Sequence, residues 1–241
     1  MRTNRAIQKD SPKAGPLSFS TPTRAPRHDL ETLFEAGLRH HHLATTAYPI
    51  AHRKTIWGYR VPPASHAPLL RRAIQASEGF CLYAHIPFCE RRCSFCEYCV
   101  VRDHDLELEG RYHQALMGEL ESYISLLGGE APPLEGFDIG GGTPSLIQPD
   151  RIAELVRRVK GAFTLGPGFA MSIETTPRLA ALHPDRLAAY RACGIDRISM
   201  GLQMTNPRLL RRYGREGNRP RHNHRAVANI RAAGFHSFNI D

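Results

Sequence analysis

The sequence predicts an α/β chain in which strand–helix units surround a parallel sheet, built either as a partial (β/α) barrel or as a doubly wound sheet. Three observations carry that expectation. From residue 80 onward, short apolar runs alternate with stretches of helical period. The residues able to do chemistry fall at the C-terminal ends of those runs, where both architectures collect ligands. The chain has 241 residues, about two-fifths of them apolar, enough for one large domain or one domain with an extension.

In chain order, residues 1–28 are rich in Pro, Ser, Thr and Arg and lack any period, which predicts a disordered basic tail. Residues 29–43 predict a short helix capped by Asp29. His40, His41 and His42 within it are adjacent and point around the helix rather than at one metal, so they read as surface residues. Residues 29–79 together form an N-terminal extension wrapping the core, with "APLLRRAIQAS" as one short helix. The core, residues 80–241, opens with the strand "FCLYAHI", followed by a cysteine-rich loop and a long helix from about Glu109 to Leu127. Next come the strand "GFDIGGG", the helix "PDRIAELVRRVKGAF" with Pro149 and Asp150 in its first turn, and the strand "GFAMSIETTP". The helix "HPDRLAAYRACG" closes at Gly194 and leads to the strand "IDRISMGLQ". The helix "RHNHRAVANIRAAG" and the strand "FHSFNID" end the chain. Five strands are fewer than an eightfold barrel uses, so the core is expected to be partial, incomplete on its C-terminal side.

The net charge is +9, and 12 of the 32 Lys and Arg lie in residues 1–80 against 5 of the 23 Asp and Glu. This reads as a solvated basic tail, with no nucleic acid as partner. No run of about 18 apolar residues exists, so no membrane span is expected. The first residues lack the apolar middle of a secretory signal, and a cytoplasmic location follows by default.

"HIPFCERRCSFCEYC" packs four of the six cysteines into eleven positions. Thiolates at such spacing suit zinc or an iron–sulfur cluster, and in a reducing compartment they are not a disulfide framework. A structural zinc site usually takes ligands from two knuckles, and there is no second knuckle. The C-x3-C-x2-C set of Cys89, Cys93 and Cys96 is able to hold a four-iron cluster with one iron open to substrate. Arg91 and Arg92 either offset the thiolate charge or are plain surface charge. Cys81 and Cys193 lie in strand and helix patterns and read as core packing.

"YAHIPFCERRCSFC" resembles the radical S-adenosylmethionine (SAM) superfamily, and within it the branch of oxygen-independent coproporphyrinogen III oxidase and its relatives, which includes radical C-methyltransferases. The likeness runs over residues 45–241, through "TTAYP", "GGGTPS", "SIETTP", "ISMGLQ", "YGREGN" and "FNID" in the order that branch shows. It implies a partial TIM-type barrel carrying a [4Fe–4S] cluster on Cys89, Cys93 and Cys96, with SAM chelated by the open iron. It also implies that Gly141, Gly142 and Thr143 approach the methionine part of SAM, and that Glu174, Gln203, Arg215 and Asp241 contact the same cofactor. The Arg215 assignment depends on the register of "REGN" among Arg211, Arg212 and Arg219. Tyr83 and His85 match positions near the cluster, with a catalytic role or a buried structural one. Phe95 and Gly141 match residues beside a second SAM. The implied partners are an electron donor such as flavodoxin or ferredoxin and a small-molecule substrate, a porphyrinogen or a heteroaromatic natural product.

One departure bears on the reaction. Oxidases of this branch carry a further cysteine two residues after the third, where this sequence has Tyr98; Cys99 comes one position later. The resemblance therefore implies either oxidative decarboxylation of coproporphyrinogen propionates or radical C-methylation or cyclopropane formation with a second SAM. Haem binding or trafficking on the same fold stands as a third, non-enzymatic reading.

Overall fold

The computed structural model describes residues 63–96, 98–102 and 105–241. The expected tail, the helix over 29–43, the histidine run and "TTAYP" lie outside these residues. Five strands form one all-parallel sheet: β1 (Phe80–Ile86), β2 (Leu134–Gly141), β3 (Leu165–Thr175), β4 (Arg197–Met200) and β5 (Ser237–Ile240). Their order is β1-β2-β3-β4-β5. A doubly wound sheet reverses its order at a switch point. This one never does, so the chain adopts the other alternative, a partial (β/α) barrel.

Seven α-helices complete the described fold: α1 (His66–Gln75), α2 (Leu106–Leu127), α3 (Pro149–Ala162), α4 (Pro177–Leu182), α5 (Pro184–Ala192), α6 (Pro207–Arg212) and α7 (Pro220–Ala233). Two of them, α4 and α6, were not legible as helices, being six residues long and directly after strand-end loops. The long helix starts a turn before Glu109, because the Asp105 carboxylate accepts from the Leu108 N–H at 2.8 Å and caps it. α1 is tied to the turn after α2 by Arg71 and Gln75, which both donate to Glu130. No described helix is long and apolar enough to cross a membrane.

Alternation along the strands decides what the sheet presents. Ala84, Ile86, Phe137, Ile139, Ile173, Ile198 and Met200 are buried and belong to the hydrophobic core. α3 adds Ile152, Leu155, Val156 and Val159, one stripe at i, i+3, i+4 and i+7. Each such side chain contributes about 1.5–3 kcal/mol on burial. The opposite face is polar. In register across it stand Tyr83, Asp138, Ser172 and Arg197, with Glu174 and Ser199 one layer nearer the strand ends. Arg197 donates to Asp138 at 3.0 Å, and the Ser172 hydroxyl donates to the same carboxylate. Cys81 lies on this face and is exposed, so its expected core role does not hold: the strand's alternation turns it away from the helices. Cys193 is partly buried and packs against the core as expected.

Behind the sheet, Glu109 is 2 % exposed and accepts from the Gln148 N–H and from Arg151 Nε, both at 2.8 Å. This carboxylate joins the first turn of α2 to the start of α3. Glu109→Ala leaves Arg151 Nε and the Gln148 N–H without their acceptor, and is expected to cost about 2 kcal/mol, because Arg151 keeps a bond to Leu106 O and some access to water. Chemical denaturation measures it; an unchanged midpoint would mean that water replaces the carboxylate.

Candidate active site at the strand ends

The cysteine loop leaves β1 through Pro87 and is fastened on both sides. Val101 N–H donates to Pro87 O at 2.8 Å, and Cys89 N–H to Val101 O at 3.0 Å. On the far side Ser94 N–H donates to Tyr213 O at 3.2 Å, and the Phe95 and Tyr213 rings meet edge to face at 6.0 Å. Within the loop Cys96 N–H turns back to Cys93 O at 3.0 Å, and Arg92 caps the turn on Cys96 O at 3.1 Å. Arg92 thus serves the loop backbone, and Arg91 pairs with Glu216. Neither is free surface charge.

The glycine run after β2 passes directly beneath this loop. Gly142 N–H donates to Ile86 O and Thr143 N–H to Phe88 O, both at 2.8 Å. A Cβ at Gly142 would stand 2.7 Å from Phe88 O and 2.8 Å from the Pro87 carbonyl, so only glycine fits. Gly141 has φ 117°, and a Cβ there would reach within 2.7 Å of the His85 ring.

These segments wall a cavity of about 1100 Å3 at the C-terminal ends of the strands. Cys89, Cys93, Cys96 and Phe95 line it from the loop. Gly141, Gly142 and Thr143 line it from β2, and Glu174, Gln203, Arg215 and Asp241 from the ends of β3, β4 and β5 and the turn after α6. Eleven of the thirteen residues singled out in the sequence therefore share one cavity. Tyr83 and His85 are not part of its lining. His85 Nε2 lies 3.3 Å from Cys99 O and Nδ1 3.1 Å from the Tyr83 hydroxyl. The carbonyl accepts only, so Nε2 carries the proton and Nδ1 accepts from the phenol. Partial burial, then the Glu174 charge, push the Tyr83 phenol up to about 12.

Each cavity residue has a defined local reason for its state. Cys89 Sγ is 3.6 Å from Thr143 Oγ1; burial pushes its thiol up, and the neighbouring Cys96 and Cys93 add to the effect. Glu174 opens on the cavity but is ringed by strand ends. That partial desolvation raises its carboxyl, and the Asp241 charge adds to the rise, while a 3.2 Å bond from Gly141 N–H opposes it. Gln203 holds a left-handed φ of 62°, an uncommon backbone state for a non-glycine residue. It is secured there by its N–H on Asp241 O at 2.7 Å. Arg215 lines the cavity: Nη1 donates to Gly201 O at 2.8 Å, the guanidinium lies 5.5 Å over the Phe95 ring, and Nε is buried without a partner. Arg211 and Arg212 do not line the cavity; Arg219 does.

Lining residues that the sequence did not single out include Arg178, Asn218, Arg221 and His222. Arg178 pairs with Glu90, and its N–H donates to Asn218 Oδ1 at 3.2 Å. The only advance signal was a cluster of arginines around proline, in "TPR" and "NRPRH", which looks like ordinary surface composition. Cys99 is exposed and is not part of the lining.

Residues 83–241 match the radical SAM superfamily. The chain is 34 % identical over 166 residues to a heme chaperone HemW of Mycobacterium tuberculosis, covering 68 % of this chain and 41 % of the relative. It is 33 % identical over 201 residues to an oxygen-independent coproporphyrinogen III oxidase of Paracoccus denitrificans, covering 81 % of this chain and 42 % of the relative. The solved coproporphyrinogen III oxidase (HemN) of Escherichia coli superposes with a TM-score of 0.64 at 29 % identity, over 72 % of this chain and 39 % of that one. The chain thus spans about two-fifths of the length of these relatives.

The residues present fit the family's cofactors. Among the described residues no three His, Cys, Asp or Glu side chains converge on a single metal ion. The fit rests on donor chemistry: three thiols within electrostatic reach of one another, soft ligands of the kind that hold iron–sulfur clusters. Beside them are a guanidinium with a buried unpartnered Nε, suited to a carboxylate, and carboxylates able to accept from an ammonium. By its matched residues, its strand order and this cavity, the chain belongs to the radical SAM superfamily, on the coproporphyrinogen III oxidase-like branch whose cofactors are a [4Fe–4S] cluster and SAM.

Proposed function

We propose that Cys89, Cys93 and Cys96 hold the cluster and that the cavity beside them is the reaction site of a radical SAM enzyme acting on a carboxylate-bearing tetrapyrrole, with coproporphyrinogen III as substrate. The observation that carries the reading is that three of the loop's four cysteines line the cavity and Cys99 does not, which leaves one ligand position for SAM. Arg215 commits one nitrogen to Gly201 O and offers its remaining edge to the SAM carboxylate. Glu174 and Asp241 accept from the SAM ammonium, which draws the raised Glu174 carboxyl back towards its charged form. Gly141 and Gly142 let the backbone come close where a side chain would block it. His85 and Tyr83 support that ledge from below and anchor the Cys99 end of the loop. When bound, the cluster and SAM supply an adenosyl radical that takes hydrogen from a propionate, so that loss of CO2 and of one electron to an acceptor leaves a vinyl group. The lining arginines suit a substrate bearing four carboxylates.

Two other readings have specific support. Tyr98 lines the cavity where oxidases of the branch have cysteine, which favours C-methylation with a second SAM beside Phe95 and Gly141. Relatives named as heme chaperones favour haem as the tetrapyrrole.

The test is anaerobic reconstitution with iron and sulfide, followed by electron paramagnetic resonance before and after SAM, with 5′-deoxyadenosine assayed in the same tube. A four-iron signal perturbed by SAM, 5′-deoxyadenosine and loss of CO2 from coproporphyrinogen III are expected. Methyl transfer from labelled SAM, or haem bound without substrate turnover, would transfer the assignment to the corresponding alternative. A cluster indifferent to SAM would overturn the radical chemistry.

A further inference from the structure

The cationic groups of the cavity are not equally committed. Arg91 and Arg178 are paired with Glu216 and Glu90, Arg92 caps the cysteine loop, and Arg215 is tied to Gly201 O. Arg219 and Arg221 are different. They flank Pro220 at the start of α7, both line the cavity, both are exposed, and neither has a side-chain partner among the described residues. His222 beside them is buried, and its Nδ1–H donates to Gly217 O, 3.0 Å away. Its imidazole is pushed down, first by burial, with the charges of Arg221, Arg178 and Arg219 adding to the effect. The groups facing it are thus cationic from both α7 and α4. Of the carboxylates that line the cavity, Glu216 and Glu90 are already taken by Arg91 and Arg178. Leu182, 44 % exposed on α4, adds an apolar surface to the same side of the cavity.

We infer that Arg219 and Arg221 are specificity-determining residues that engage two carboxylates on the rim of an apolar substrate body lying against Leu182. A single anionic group would leave one guanidinium unpaired at the cavity lip. Two carboxylates on one rigid ring match two guanidinium groups held by a helix start, and each charge-assisted pair is then short and directional. The inference rests on reading the cavity as the reaction site, and it separates a polycarboxylate substrate from a neutral heteroaromatic one.

The test uses coproporphyrin III and its neutral tetramethyl ester as fluorescent probes of the reconstituted chain, with SAM affinity read separately from the paramagnetic signal. The parent is expected to bind the acid at least about tenfold more tightly than the ester. R219Q/R221Q is expected to weaken the acid by about tenfold or more and to remove its strong salt dependence, and R219K/R221K to recover part of the affinity. Both residues are exposed, so the variants are expected to fold; a thermal melt checks this. Equal affinity for acid and ester in the parent, or unchanged acid binding in R219Q/R221Q, would overturn the inference. Loss of SAM affinity in that variant would assign the arginines to the cofactor and also overturn it. Failure of the parent to form 5′-deoxyadenosine, with the acid-over-ester preference intact, would strike the radical reading and leave the carboxylate contacts standing.

Discussion

Alanine at Cys89, Cys93 or Cys96 is expected to remove the four-iron signal and reduce 5′-deoxyadenosine to the level of the metal-free chain, while Cys99→Ala keeps both. The cluster needs a thiolate at each of three irons, and no other thiol lines the cavity to replace a lost one. Cys81 and Cys193 lie on the sheet and at the end of α5, away from the loop. Cys99 reaches the site only through its backbone, where its carbonyl meets His85. Iron and sulfide counts per chain, with the paramagnetic spectrum of each variant, measure the effect. Intact clusters in Cys93→Ala, or their loss in Cys99→Ala, would mean that the loop rearranges and that the ligand set is different.

The second large effect is expected from Gly142→Ala. The added methyl would stand 2.7–2.8 Å from backbone atoms of Phe88 and Pro87, and neither neighbour is free to yield. Phe88 O accepts from Thr143, Pro87 O from Val101, and Gly142 itself donates to Ile86 O. Relief therefore has to move the whole start of the cysteine loop away from the glycine ledge. Overpacking of this kind costs about 1–3 kcal/mol. That corresponds to a fall in Tm of several degrees, at about 2–4 °C per kcal/mol for a chain of this size. Cluster assembly is expected to suffer more than stability, because the displaced atoms are those that carry Cys89. Gly161→Ala is the control: nothing lies within 4 Å of its added methyl, and in the last turn of α3 the change is neutral or mildly stabilising. Equal Tm and equal iron content in the two variants would remove the close-approach argument.

How much of this was readable in advance differs between elements for identifiable reasons. The five strands and the helices α2, α3, α5 and α7 were legible because each repeats its apolar positions with the period of its element. The six-residue α4 and α6 were not, since one and a half turns are too few to show a period. The start of α2 was missed because its cap, Asp105, sits in a polar run where a capping carboxylate looks like any other. Cys81 was misread because an isolated thiol in an apolar strand does not reveal which face it occupies; register with β2 and β3 turned it to the polar side.

The amino-acid sequence by itself determined the repeating strand–helix order, the three-cysteine loop with its superfamily resemblance, and the residues at the strand ends, because these are local patterns of spacing and alternation. Three things depended on the tertiary structure. Strand order chose the barrel over the doubly wound sheet, since sequential and reversed orders share the same local pattern. Packing of the "REGN" turn against Gly201 and Phe95 brought Arg215 to the cavity wall. The ion pairs of Arg91 and Arg178 left Arg219 and Arg221 uncommitted at the cavity lip. Each of these depends on contacts between segments distant in the chain, and distance along the chain carries no record of proximity in the fold.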